Sequence, residues 1–227
     1  MRIISRLLVV VVVVIVVGAV AAAFTGVAQV PGLSAAFGNA APRDLDESAP
    51  DAAAYDAFVA AHGIQMPSSD ANYTLASRHT FSGSVAVDET LTEGEVMAIK
   101  EMANPAPGIS DVHIRFHQGY AETSAMIDLG AYGYPVSGPV YLQWSVEVAG
   151  PQAVDVSIRA LELGRITAPV DIAAQAESAL DDYLATRLAE IEGLDIVAIE
   201  LTEGGITFTG MLPQTYQADP PAVGQLP

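Results

Sequence analysis

The longest apolar run comes first: Leu7 to Phe24, LLVVVVVVIVVGAVAAAF, is 18 residues without a charge. As a helix it rises about 27 Å, which matches a bilayer core of about 30 Å. Arg2 and Arg6 precede it, and no further charge appears until Arg43. The positive-inside rule then predicts an N-terminus in the cytoplasm and everything after Phe24 on the far side. Small residues at Ala19-Val20-Ala21 and Gly26-Val27-Ala28 also suit a cleaved signal peptide. Both readings export the rest of the chain, either as a single-pass anchored protein or, after cleavage, as a secreted one.

Beyond the run, the pattern divides the chain into residues 1–24, a transmembrane helix; 25–71, a linker; 72–216, the folded domain; and 217–227, a disordered tail rich in proline and alanine. Within the linker, Asp51 to Ala61 reads as a short helix with Tyr55, Phe58 and Val59 on one side. In the domain, Thr80 to Val87 alternates as a strand. Thr92 and Glu95 form a capping box that opens a helix to about Ala103. Val112, Ile114 and Phe116 alternate with His113, Arg115 and His117, the mark of a half-buried strand. Tyr120 to Leu129 is a second strand, and Tyr132 to Pro139 a turn. Val140, Leu142, Trp144, Val146 and Val148 share one parity of a third strand. Val154, Val156 and Ile158 continue into a fourth, whose phase slips to Leu161 and Leu163, predicting a bulge near Ala160. Pro169 opens a long helix that Gly193 stops; Ala173, Ala176, Leu180, Leu184, Leu188 and Ile191 form its apolar stripe. Ile196–Leu201 and Ile206–Leu212 form a hairpin around Thr202-Glu203-Gly204-Gly205. Short connections between strands predict antiparallel pairing. The fold class expected is α+β: one curved antiparallel sheet whose apolar face packs on one long helix, preceded by a transmembrane helix.

Composition narrows the function. The chain has 227 residues, 27 acidic and 9 basic, a net charge of −18 and no cysteine. An acidic surface repels phosphate backbones, which excludes nucleic acid as a partner. The missing cysteines exclude disulfide scaffolds, thiol catalysis and Cys-containing metal sites.

The order of these features resembles the YpmS-like bacterial envelope proteins and, more distantly, the LmeA-like phospholipid-binding family. The residues that carry the resemblance are Thr92 to Glu95, Val112 to Gly119, Leu161 to Pro169 and Glu203 to Gly210. The resemblance covers about residues 80–213 and rests on turn and cap residues. It implies half of a tubular lipid-binding (TULIP) domain, anchored to the membrane, whose helix-and-sheet groove holds an acyl chain without catalysis.

Candidate chemistry is sparse. His113 and His117 share a strand face, where four residues span roughly 13 Å, too far to share a metal whose ligands sit at about 2 Å. No nucleophile elbow, zinc-protease helix, phosphate loop or dinucleotide fingerprint occurs. Asp44-Leu45-Asp46-Glu47 lacks the ligand order of a calcium loop, and Asn72-Tyr73-Thr74 fits a glycosylation acceptor. Asp88/Glu89, Asp181/Asp182 and Glu190/Glu192 read as solvated faces. No enzyme, cofactor or metal is therefore expected. The remaining asset is apolar surface: Phe116, Leu142, Trp144, Val146 and Ile158 on the sheet, facing Leu180, Leu184 and Leu188 on the helix. The function expected is therefore that of a membrane-anchored, extracytoplasmic, non-catalytic domain binding a lipid or another apolar ligand, in a groove that these residues line if the sheet carries more apolar area than one helix covers. If the core is closed, the chain is instead an envelope interaction module that docks a protein partner.

Overall fold

A computed structural model describes residues 41–63, 79–102, 109–128, 137–164 and 166–218. The expected transmembrane helix at residues 1–24 and the acceptor Asn72-Tyr73-Thr74 lie outside them. No helix among the described residues is long and apolar enough to cross a membrane.

The protein is α+β, mostly antiparallel strand with few helices. Helix α1 spans Ala52–Ala61; the Asp51 side chain accepts from the Ala54 N–H at its start. Strands β1 (His79–Ser82) and β2 (Val85–Thr92) follow, then helix α2 (Glu93–Met102). The capping box forms as the sequence predicts: Glu95 accepts from the Thr92 N–H at 2.7 Å, and the Glu95 N–H donates back to the Thr92 hydroxyl at 3.3 Å. Then come β3 (Ile109–His117), β4 (Tyr120–Asp128), β5 (Ser137–Gly150), β6 (Ala153–Leu163) and the two-residue β7 (Ile166–Thr167). Helix α3 (Val170–Ala189) precedes β8 (Asp195–Thr202), β9 (Gly205–Leu212) and β10 (Thr215–Ala218). Strand β10 runs two residues into the stretch that composition reads as a tail.

The strands form three sheets among the described residues, not the single sheet expected: β3-β4-β5-β6-β7, β2-β9-β8 and β1-β10. Two physical features divide them. Gly83, at φ +67, breaks the run of residues 79–92 into β1 and β2. The β8–β9 hairpin then takes β2 as its third strand, with Val85 opposite Leu212 and Thr92 opposite Gly205. In the five-stranded sheet the predicted bulge is present: Gln143 pairs with Ala160 but Trp144 pairs with Ile158, leaving Arg159 extra.

The long helix also sits differently from expectation. It packs chiefly on β6, whereas β5 packs on β8 of the second sheet. Strand β8 runs across the turn ends of the large sheet: the Ile196 N–H donates to the Pro151 carbonyl, and the Gly119 N–H to the Leu201 carbonyl. Between Ala153 and Ala160, β6 has no further strand on its outer side among the described residues. Helix α3 fills that place. Its Asp181 carboxylate accepts from the Val156 N–H at 2.9 Å, and its Glu177 carboxylate from the Ile158 N–H at 2.7 Å. Side chains four apart on a helix thus satisfy N–H groups two apart on a strand. The expectation that Asp181 belongs to a solvated face is corrected: Asp181 is half-buried and Asp182 is exposed.

Candidate functional site

The core face of the large sheet is built by pairing large residues with small ones. Strand β4 offers Ala121, Thr123 and Ala125, all buried, between bulky β3 and β5. Ala121 lies opposite Phe116 on one side and Trp144 on the other, so the two largest side chains share the space over one methyl group. The Trp144 indole N–H donates to the Thr123 hydroxyl at 3.0 Å, which satisfies the one polar atom of the ring inside the core. Phe116, Leu142, Trp144, Val146, Leu180, Leu184 and Leu188 belong to one buried cluster, and Ile158 packs against it. Trp144, Phe116, Leu180 and Leu184 have 0% of their surface exposed. Leu201, Ile206 and Phe208 of the second sheet, with Leu91 and Val96, complete the same cluster. The apolar area beyond the helix is covered by a second sheet that the strand pattern does not place.

The opposite face of the large sheet carries its polar chemistry. Residues 41–51, read from sequence as linker, run across it as a strap. The Arg43 N–H donates to Ser124 Oγ on β4 at 2.7 Å, its guanidinium pairs with Glu162 on β6, and it lies 3.9 Å over the Tyr141 ring on β5. Farther along, the Asp46 carbonyl accepts from the Arg115 guanidinium, and Glu47 Oε1 lies 2.6 Å from His113 Nδ1, both on β3. The strap ends at α2, where the Ser48 N–H donates to Glu93 Oε2 at 2.6 Å and the Asp51 N–H to the Gly94 carbonyl at 2.8 Å. Glu93 is buried and its other oxygen accepts from the Phe116 N–H at 3.0 Å, so one carboxylate joins strap and sheet. Gly94 is needed there, because a Cβ would stand 2.9 Å from the Ala49 carbonyl oxygen.

Glu122 centres the polar network between strands. It accepts from the Tyr141 hydroxyl and from Gln143 Nε2 at 2.9 Å, and lies 3.1 Å from His117 Nε2. Burial pushes its carboxyl up, but the hydrogen bonds from Tyr141, Gln143 and His117 and the His117 charge outweigh that and hold it below the usual range. Burial and the Glu122 carboxylate push the Tyr141 phenol up to about 12. Asp181 is raised by burial against the Val156 N–H, with Asp155, Glu177 and Asp182 adding repulsion. His113 therefore sits under the strap, between Glu47 and Asp111, and His117 between Glu122 and Glu203, neither on an open face. The sequence signal for this was the acidic Asp46-Glu47 pair and the cationic stripe of His113, Arg115 and His117, read separately. No group of three or more metal-ligating side chains is assembled among the described residues. Comparisons with protein-family models, with curated proteins and with solved structures find no match for this chain.

Proposed function

We propose that this protein is a membrane-anchored, extracytoplasmic, non-catalytic module that docks a protein partner. The single observation that carries the reading is the coverage of the core: the residues that would line an acyl groove pack on one another and on a second sheet, with Trp144, Phe116, Leu180 and Leu184 at 0% exposure. Arg2 and Arg6 ahead of the apolar run support the anchor and its orientation. The long helix beside antiparallel strands supports kinship with half of a TULIP domain, here with the lipid space filled by side chains. Two arms test the reading. A reporter fused after Pro227 should be active only when exported; activity in the cytoplasm contradicts the topology. Native mass spectrometry of protein from its own host should find no tightly held lipid in the domain, and a stoichiometric acyl ligand restores the groove.

A further inference from the structure

The strap is held at its middle by one titratable ring. His113 presents Nδ1 to Glu47 Oε1 of the strap at 2.6 Å and Nε2 to Asp111 Oδ1 of its own strand at 3.3 Å. Only the protonated imidazole has an N–H on both nitrogens; the neutral ring has one N–H and one lone pair. Only the imidazolium can therefore face both carboxylates with an N–H. The remaining groups around the ring do not replace it. Arg115, two residues on, is engaged by the Asp46 carbonyl, with Asp46 Oδ2 at 3.9 Å, and Ser124, opposite in register on β4, is uncharged. The other Glu47 oxygen is buried with no hydrogen-bond partner. Backbone strain gathers at the same place: Asp46 (φ 54) and Asp111 (φ 52) are the two non-glycine residues with positive φ among those described. Asp46 adjoins Glu47, and Asp111 lies in the irregular stretch of β3 between Ser110 and His113.

We propose that His113 is a charge-dependent latch for the strap. Protonated, it clasps Glu47 and Asp111 and keeps the outer face of β3 covered. On losing its proton it removes the positive charge beside Glu47, whose side chain is 14% exposed and keeps at most one hydrogen bond from the neutral ring, a costly arrangement, while Asp111, 60% exposed, is solvated. The strap then lifts between Arg43 and Ser48, relieving the strain at Asp46 and uncovering Arg115. The contacts at the two ends, Arg43 with Glu162 and Ser48 with Glu93, do not depend on the histidine and keep the strap attached. His117, between Glu122 at 3.1 Å and Glu203 at 3.8 Å, touches no strap residue in these pairings.

Hydrogen exchange of the full chain in detergent micelles, corrected for intrinsic rates, tests this. Protection of the Asp46 amide should fall about tenfold from about pH 5.5 to about pH 8, while the Ser48 amide, held by Glu93, and α3 stay protected. In His113→Gln it should be low at both values. An unchanging strap in the unmodified protein, or the same fall in His113→Gln, overturns the latch. If His113→Gln also loses protection in α3, Glu47→Gln decides: the fall should shrink to about twofold or less, and a persisting tenfold fall overturns the proposal.

Discussion

Tyr141 and Glu122 show how single residues set the pH range of the outer face. The phenol donates to the carboxylate, Gln143 donates to both, and Arg43 stacks on the ring. A phenol raised from 10.0 to about 12 contributes stability that is whole below pH 10 and lost as pH climbs through about 12. A carboxyl held below its usual range contributes stability present at neutral pH and lost in acid. Tyr141→Phe keeps the ring under Arg43 and removes the titrating group. Melting temperatures followed upward from pH 10 should decline less steeply in Tyr141→Phe than in the unmodified protein. Parallel declines would show that the phenol does not couple to folding. The apolar parity of β5 and the capping box were legible residue by residue, because each is a local pattern. The partners of Tyr141 and His113 were not, because Arg43 and Glu47 reach them across a long chain separation that no local period records.

Helix α3 acts as an edge cover as much as a core element. An open edge of β6 would offer its N–H groups to other chains. The carboxylates of Glu177 and Asp181 occupy two of them. Asp181→Ala should cost about 1–3 kcal/mol, because it leaves a partly covered N–H without an acceptor. Asp181→Asn keeps an acceptor oxygen and removes the repulsion from Asp155, Glu177 and Asp182, so its melting temperature should equal or exceed that of the unmodified protein. Asp182→Ala, at an exposed position, should be near neutral. Equal losses for Asp181→Ala and Asp181→Asn would mean that charge, not the accepted hydrogen bond, matters there. The apolar stripe of Ala176, Leu180, Leu184 and Leu188 is buried where the helical period puts it. That period shows only which helix face is apolar. It does not reveal that two acidic side chains beside the stripe bind a strand edge.

At the scale of the molecule, the question is what covers the apolar face of the large sheet. Strand periodicity identified that face, with Phe116, Leu142, Trp144, Val146 and Ile158 on it. It could not show that β8 would pack on β5 or that β2 would join the final hairpin, since those pairings are non-local. With that sheet in place, the candidate groove residues are core. Trp144, the single tryptophan of the chain, reports on this directly. The full chain can be reconstituted in vesicles whose lipids carry bromine atoms along the acyl chain, which quench an indole only at close range. A closed core predicts the same Trp144 emission in brominated and ordinary vesicles. Quenching that depends on where the bromine lies along the chain would put an acyl chain against Trp144 and contradict the account.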